Sequence, residues 1–249
     1  MKELVRRLLV RLLTAGLQAQ SRRYPFAPGA ALVVAPHADD ETLGCGGVIA
    51  AKVRRGDPVT VAYLTDSGAT PAGAPASDRC AIAARRRTEA QAALRVLGVA
   101  EDAAHFLDAP DGRLHRLGWD EAGRLQRELA ALLRRVGPRE IFVPWLGDGS
   151  TEHAAAFWIV RDAVAAAGLH PPLVWEYPVW AWWNPLRLAP RLLRPGENFR
   201  VELGSLRGVK RAALACHRSQ VEPATAPALP VAVAEACTGP GEFFFPGPT

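Results

Sequence analysis

The sequence predicts an α/β protein built on a mainly parallel β-sheet flanked by helices. Short apolar runs of strand length alternate with longer segments of helical length from residue 31 to residue 179, and this alternation is typical of βαβ units. The chain has 249 residues, of which 49% are hydrophobic and 22% are charged. Such a chain can bury a core without disulfides or structural metals. We therefore expect a single domain over 1–249.

The predicted elements follow one another in a regular order. An amphipathic helix is expected within residues 1–20. Five strands are predicted at 31–35, 58–64, 105–107, 140–145 and 172–179, with helices between them at 42–55, 79–97, 119–136 and 153–167. Residues 65–77 are rich in Gly, Pro and Ala and predict a loop. The proline-rich segment 187–249 is expected to be irregular.

The N-terminal helix combines apolar positions at helical spacing with basic residues. The apolar positions are Leu4, Val5, Leu8, Leu9, Leu12, Leu13 and Leu17, and the basic ones between them are Arg6, Arg7 and Arg11. These charges interrupt the helix too often for a membrane span, and no small-residue cleavage site marks a signal peptide. We expect the helix to pack on its own domain or on a second copy of the chain, with contact at a membrane surface as the alternative.

The distribution of charge bears on nucleic-acid binding, and the cysteines bear on the cellular compartment. The net charge is +5, but the arginines are spread along the predicted helices and interleaved with acids. No nucleic-acid-binding motif accompanies them, so we expect a solvated basic surface and no nucleic-acid partner. The four cysteines form no CxxC pair, which indicates free thiols in a reducing cytoplasm.

A histidine and three acidic residues follow the first of the five strands. The segment His37-Ala38-Asp39-Asp40-Glu41 comes directly after the apolar run Val33-Val34-Ala35, and ligands of parallel sheets bind beyond the carboxyl ends of the strands. Because His37 and Asp40 are three residues apart, one turn can bring an imidazole and a carboxylate to a common point. Zinc accepts this mixture of donors.

A second histidine is expected at the same edge of the sheet. The segment 144–153 leaves the predicted strand 140–145, and His153 opens the next helix. Catalytic zinc sites usually have three protein ligands and an open position for water, so His153 is the candidate third ligand. Asp39 then remains beside the metal as a candidate general base.

These segments resemble the GlcNAc-phosphatidylinositol de-N-acetylase superfamily, also called PIG-L or LmbE-like. Its hallmark His-Pro-Asp-Asp-Glu loop is similar to residues 37–41, with Ala38 in place of the proline. The resemblance covers residues 30–220. Further matching positions are Leu64-Thr65-Asp66, Arg86 and Glu89 before Leu97-Gly98, Pro110-Asp111-Gly112, Lys210, His217, Ser219 and Gln220.

The resemblance implies a Rossmann-like fold and a zinc-dependent hydrolase that removes the N-acetyl group from an N-acetylglucosamine-type sugar or glycoconjugate. It further implies ligand and catalytic roles at particular positions. His37, Asp40 and His153 would hold Zn²⁺, and Asp39 would be the general base. Arg86 and Asp111 would contact the sugar.

One position departs from the family pattern. The family's Asp-x-His-x-Asp-His reads Asp148-Gly149-Ser150-Thr151-Glu152-His153 here. Ser150 thus replaces a histidine that the resemblance links to the developing oxyanion or the leaving amine. Serine cannot carry a positive charge, and His217 is the candidate catalytic substitute. Two alternatives stay open: a zinc amidase that acts on a non-sugar amide, and a catalytically impaired sugar-binding descendant.

Two further clusters each have two interpretations. The segment Gly44-Cys45-Gly46-Gly47 lacks the complete dinucleotide-binding fingerprint, which disfavours an NAD-binding oxidoreductase and favours close packing of the helix beside the metal loop. Four tryptophans lie in the fifth predicted strand or just after it: Trp175, Trp180, Trp182 and Trp183. They are expected either to stack on a sugar or to pack in the core or a subunit interface.

Overall fold

The computed structural model describes residues 2–69, 78–169, 172–222 and 229–247. The strands are β1 (Arg22–Arg23), β2 (Ala31–Ala35), β3 (Val59–Thr65), β4 (Ala104–Ala109), β5 (Glu140–Pro144), β6 (Leu173–Tyr177), β7 (Phe199–Glu202) and β8 (Gly241–Pro246). They form one sheet in the order β1-β7-β8-β6-β5-β2-β3-β4. All pairings are parallel except the two that β8 makes, with β6 and β7. The predicted mainly parallel sheet is therefore confirmed.

Helices connect the strands at nearly the expected positions. They are α1 (Lys2–Gln20), α2 (Asp40–Arg54), α3 (Arg79–Leu97), α4 (Trp119–Val136), α5 (Thr151–Ala167), α6 (Ala189–Leu192), α7 (Leu206–Cys216), α8 (Arg218–Val221) and α9 (Val231–Cys237). Left-handed glycines end α3 and α4, at Gly98 and Gly137, as is usual for helix C-termini. Residues 70–77 of the predicted loop lie outside the described part of the chain.

The C-terminal segment is more regular than its prolines suggest. The sequence predicts an irregular segment over 187–249, but this segment contributes β7, α7, α9 and β8. Phe243, Phe244 and Phe245 are buried and place β8 inside the sheet, between β6 and β7. Pro230 directly precedes α9, where its missing N–H costs no helical hydrogen bond. Burial of the three aromatic side chains thus orders a segment whose prolines lie mostly between elements.

The core lies on both faces of the sheet. Successive residues of β2 point to opposite sides, so Val33 packs with residues of α2 and α3, and Val34 packs with residues of α4 and α5. Both side chains are buried, which is why β2 is a continuous apolar run. Because β2 lies between β3 and β5, its carboxyl end is surrounded by other strand ends.

Close approach of other side chains explains the glycines of α2. A Cβ on Gly44 would lie 2.1 Å from the ring of Tyr177, and one on Gly47 would lie 2.0 Å from the side chain of Leu203. Neither position could accept a larger residue without displacing a buried neighbour. The prediction of close helix packing beside the metal loop is therefore confirmed.

The N-terminal helix α1 packs on its own domain through one face. Val10, Leu13 and Leu17 are buried there, as the amphipathic pattern predicts, whereas other leucines of α1 remain exposed. Within the described ranges, no helix is long and apolar enough to cross a membrane. All four cysteines are free thiols.

Candidate active site

The loop between β2 and α2 adopts a backbone conformation that is rare for non-glycine residues. Asp39 has a φ of 141°, which L-residues seldom adopt. Its backbone N–H donates to Oε2 of Glu41 at 3.0 Å, and the N–H of Ala38 donates to Oγ of Ser67 at 2.8 Å. These bonds fix the loop at the carboxyl end of β2, where the sequence predicts the site.

The predicted ligands His37, Asp40 and His153 come together at this point. Nδ1 of His37 lies 3.2 Å from Oδ2 of Asp40, and Nε2 of His153 lies 3.3 Å from Oδ1 of Asp40. One donor atom from each of the three residues lies within 4.8 Å of the other two. Asp40 and His153 are buried, and His37 is partly buried. Two elements that are over a hundred residues apart in the chain thus share one potential metal site.

Each histidine of the cluster also contacts a carboxylate through its other nitrogen. Nδ1 of His153 lies 2.7 Å from Oδ2 of Asp148, and Nε2 of His37 lies 2.6 Å from Oε2 of Glu152 and 3.2 Å from Oδ1 of Asp111. Histidines that bind metals are commonly oriented in this way. The two imidazoles are thus in contact with four carboxylates. This donor set and its excess of negative charge fit a metal cation.

The charges of the cluster shift its pKa values strongly. Burial alone would lower the pKa of His153, but the negative charges of Asp40 and Asp148 raise it to about 9. Burial, reinforced by the charge of Asp40, raises the pKa of Asp39 to about 7. Burial acts to raise the pKa of Asp40 too, but the adjacent histidines lower it below its ordinary value. The carboxylates around His37 and His153 thus strongly favour a positive charge within the cluster.

Glu41 is held in place by the C-terminal half of the chain. Nε2 of His217 lies 3.1 Å from Oε1 of Glu41 and 3.3 Å from Oγ1 of Thr42, and all three side chains are buried. Burial alone would lower the pKa of His217, but the charge of Glu41 raises it. His217 thus lies behind the loop and supports the carboxylate that receives the Asp39 N–H. Its catalytic role stays a prediction.

The two residues expected to contact the sugar also lie at the cluster. Nη1 of Arg86 donates to the carbonyl of Ser67 at 2.8 Å and lies 3.8 Å from Oδ2 of Asp111. Asp111 accepts a hydrogen bond from the N–H of Ala69 at 2.8 Å and contacts His37 directly. Asp111 therefore lies against His37 and Arg86 lies near Asp111, and their contact with a sugar stays a prediction.

An open cavity of about 500 Å³ borders the cluster. Its lining includes His37 and Glu152 from the cluster, and Trp180, Trp183, Asn184 and Arg187 from the segment that follows β6. Trp175 and Trp182 are buried in the core instead. The tryptophan cluster thus divides into two core residues and two cavity residues.

The family is decided by a comparison with known protein families. Residues 32–164 match the PIG-L family, described as GlcNAc-PI de-N-acetylase. The match runs from β2 into α5 and includes the complete His37–Asp40–His153 cluster. The chain belongs to the PIG-L family. Homologues in this family are metal-dependent N-deacetylases.

Two deacetylases are similar to this PIG-L protein. A diacetylchitobiose deacetylase from Thermococcus kodakarensis is 29% identical over 141 residues, which cover 55% of this chain and 50% of that protein. The N,N′-diacetylchitobiose deacetylase from Pyrococcus horikoshii matches with a TM-score of 0.65 and 23% identity, over 100% of this chain and 93% of that one. The matched region spans about half the length of the curated relative and nearly all of the solved structure.

The fold also occurs in an enzyme of another class. The 4-carboxy-2-hydroxymuconate hydratase from Pseudomonas putida matches this PIG-L protein with a TM-score of 0.59 and 22% identity, over 76% of this chain and 78% of that one. The fold therefore does not specify the reaction, which has to be argued from the site.

The departure from the family pattern at Ser150 has a local structural role. Ser150 is the N-cap of α5, and its side chain accepts a hydrogen bond from the N–H of His153 at 3.3 Å. Such a cap satisfies one of the unpaired N–H groups at a helix start. Ser150 thus fixes the backbone of His153, a predicted ligand. It does not supply the positive charge that a histidine at this position could carry.

Four functional residues are missing from the sequence prediction. Asp148 and Glu152 contact the two histidines, Glu41 supports the loop, and Arg187 lines the cavity. Asp148 also accepts hydrogen bonds from three backbone N–H groups after β6. The sequence could have indicated Asp148 and Glu152, because both lie in the motif 148–153 from which we predicted only His153 as a ligand. No sequence pattern indicates Arg187, which lies 34 residues beyond that motif.

Proposed function

We propose that this PIG-L protein is a zinc-dependent N-deacetylase that hydrolyses the N-acetyl group of an N-acetylglucosamine-type sugar or glycoconjugate. The main support is the cluster of His37, Asp40 and His153, in which a further carboxylate orients each histidine. Two imidazoles thus face four carboxylates, those of Asp40, Asp111, Asp148 and Glu152, and a bound cation would balance this excess of negative charge.

The three side chains would hold the metal through two imidazoles and one carboxylate. This donor set suits zinc in sites with an open position. The chemistry that zinc supplies in such sites is Lewis acidity, which polarises a carbonyl group and lowers the pKa of water from about 15.7 to about 7. Asp148 and Glu152 fix the orientation of His153 and His37, so the donor atoms are positioned before a ligand binds.

Asp39 is the proposed general base. Its half-buried carboxylate makes no hydrogen bond among the described residues, whereas the carboxylate of Asp40 is occupied by the histidines. A raised pKa, near neutrality, suits a group that accepts a proton from attacking water and returns it to the leaving amine. His217, through Glu41, stabilises the backbone conformation that presents Asp39.

The cavity supports a sugar substrate. Trp180 and Trp183 line it with rings of the kind that stack on sugars, and Asn184 supplies a polar group for sugar hydroxyls. Arg86 and Asp111 lie beside His37 outside this lining, and we propose that they meet the part of the sugar nearest the metal. The related chitobiose deacetylases act on acetylated sugars.

The free thiols of all four cysteines agree with the cytoplasmic location expected from the sequence.

Arg187 provides the positive charge that Ser150 lacks. A Cβ on Gly149 would lie 2.6 Å from Nε of Arg187, so the glycine leaves room for this side chain beside Ser150. In the described part of the chain no carboxylate pairs with Arg187. We infer that its guanidinium would stabilise the negative charge that develops on the amide oxygen during hydrolysis. Because a guanidinium keeps its proton in proteins, Arg187 would act by charge alone.

Acetate release from a panel of N-acetylated compounds tests the proposal. The purified chain is loaded with zinc and incubated with N-acetylglucosamine, diacetylchitobiose and N-acetylated amines that lack a sugar. We expect acetate from the sugars only. In Asp39→Asn, turnover should fall about 10²–10⁴-fold, because the general base is lost, while bound zinc is unchanged.

Asp102→Asn is the matched control, since Asp102 is an exposed acid far from the loop in the chain, and it should retain full turnover. Acetate from the non-sugar amides alone would support a zinc amidase instead. Zinc binding without hydrolysis of any compound would support a sugar-binding descendant. Full activity in Asp39→Asn would overturn the assigned base.

A further inference from the structure

The face of α1 that points away from the protein is apolar. Leu4, Leu8 and Leu12 are spaced by four residues, so they form one row along the helix, and they are 74%, 56% and 60% exposed. The opposite face, which includes Val10 and Leu17, is buried in the domain. The helix therefore has two apolar faces, and its own domain covers one of them.

Two more exposed leucines belong to the part of the chain that packs on α1. Leu186 and Leu193 are 61% and 83% exposed; Leu186 lies in the 185–188 segment and Leu193 directly follows α6, and α1 contacts both of these elements. Leu192, the neighbour of Leu193, lies against Gly16 of α1. Large exposed apolar patches of this kind mark interaction sites on protein surfaces.

A basic groove borders the same helix. A cavity of about 450 Å³ between α1, α7 and α9 is lined by Arg7, Arg11, Arg207 and Arg211, with Glu235 as its single acidic lining residue. Arg7 lies 3.7 Å from Glu235, but Arg11 and Arg211 have no carboxylate partner within the described ranges. Because Arg7 and Arg11 follow Leu4 and Leu8 by three residues, this excess positive charge lies next to the apolar row.

We propose that this surface docks on a membrane that contains anionic phospholipids. The leucines would enter the boundary between headgroups and acyl chains, and the arginines would contact the lipid phosphates. A second copy of the chain fits less well, because a symmetric contact would bring two identical basic grooves together. The combination of apolar row and unpaired arginines therefore selects a lipid surface as the partner.

The domain-facing side of α1 contacts the cavity beside the cluster. The guanidinium carbon of Arg6, on α1, lies 3.5 Å from the ring centroid of Trp183, and Trp183 lines the catalytic cavity. The helix that meets the membrane therefore also borders the cavity mouth. The docking itself needs no substrate, so it can be measured independently of the proposed function.

Flotation with lipid vesicles tests the proposal. The full chain is mixed with vesicles of phosphatidylcholine alone, or of phosphatidylcholine with phosphatidylglycerol, at low and high salt. We expect flotation with the anionic vesicles only, weakened by salt because the charges are exposed. Leu8→Glu combined with Leu12→Glu should abolish it. Arg11→Glu combined with Arg211→Glu should reduce partitioning about tenfold or more.

Leu173→Glu is the matched control, because Leu173 is a 46% exposed leucine on β6, outside this surface, and it should float like the unchanged chain. Circular dichroism of each variant excludes unfolding as a cause. Failure of the unchanged chain to float with anionic vesicles would overturn the proposal. A concentration-dependent dimer in sedimentation that the Leu8/Leu12 variant loses, without vesicle binding, would identify a second copy as the occupant instead.

Discussion

Two buried clusters of charge lie beside helix α2 and differ in how completely their charges are balanced. In the first, Nζ of Lys210 donates to Oε1 of Glu242 at 2.6 Å and to the carbonyl of Leu43 at 2.7 Å. Glu242 also receives the N–H groups of Gly47 and Val48. Both charged side chains are buried, and each has several partners.

The second cluster, at the start of α2, contains His37, Asp40 and His153. Its side chains are buried or partly buried, and its two imidazoles face four carboxylates, those of Asp40, Asp111, Asp148 and Glu152. Negative charge is therefore in excess there, whereas the first cluster pairs one lysine with one glutamate. From this comparison we infer that the Lys210–Glu242 cluster has a structural role and joins α2, α7 and β8. The His37–Asp40–His153 cluster, in contrast, would reach charge balance only when a cation binds.

Removal of a predicted ligand from the His37–Asp40–His153 cluster should have the largest effect. In His153→Ala we expect loss of bound zinc and a fall in turnover of about 10³-fold or more, because several kcal/mol of transition-state stabilisation disappear with the metal. Elemental analysis of the purified variant and acetate release measure the two effects. Retained zinc at full stoichiometry would remove His153 from the ligand set.

Disruption of the Lys210–Glu242 cluster should lower the stability of the protein and leave metal binding unchanged. In Lys210→Met, Glu242 is left as an uncompensated buried charge, and we expect a loss of about 3–5 kcal/mol in the free energy of unfolding. Urea denaturation measures this loss. The double variant Lys210→Met with Glu242→Gln should recover part of it, because the buried charge is removed, although the amide oxygen can accept only one of the two N–H groups. Zinc affinity of the folded fraction should be unchanged in both variants.

A carboxylate behind the metal cluster should have an intermediate effect. In Asp148→Asn, the amide loses the charge that orients His153, and we expect zinc affinity to fall about 10–100-fold. Competition with a chelator measures this affinity. Asp57→Asn is the control, because Asp57 bonds the N–H of Gly29 away from the metal cluster. Equal zinc affinities in the two variants would contradict the orienting role of Asp148.

The smallest effect should come from the position that departs from the family pattern. In Ser150→Ala the N-cap of α5 is lost, and we expect a decrease of about 1 kcal/mol in the free energy of unfolding. Turnover of the folded enzyme should change little, because Ser150 carries no charge. A large fall in turnover with unchanged stability would show that the hydroxyl takes part in the reaction.

The sequence predicts the parts of the site that depend on local order along the chain. His37 and Asp40 follow a strand end at a spacing that one turn can close, and His153 follows the end of another strand, so their convergence is a consequence of the parallel sheet. The contacts of Glu152 with His37 and of His217 with Glu41 join residues that are 115 and 176 positions apart. No spacing rule relates such positions, because they depend on tertiary packing.

The same distinction applies to the fold. Strands β2 to β6 were predictable because each is an apolar run between helical segments. Strand β8 was missed because it enters the sheet antiparallel, after a segment whose prolines predict irregular structure. Its three consecutive phenylalanines are buried, but a short apolar run of this kind does not reveal its neighbours.

A calorimetric titration of the metal-free chain with zinc tests the central claim most directly, with His153→Ala measured alongside. We predict one zinc ion per chain in the unchanged protein, a raised melting temperature in its presence because the ligand binds only the folded state, and no binding of comparable affinity in His153→Ala. Equal zinc binding by the two proteins, or none by either, would contradict the claim that the His37–Asp40–His153 cluster is a metal site.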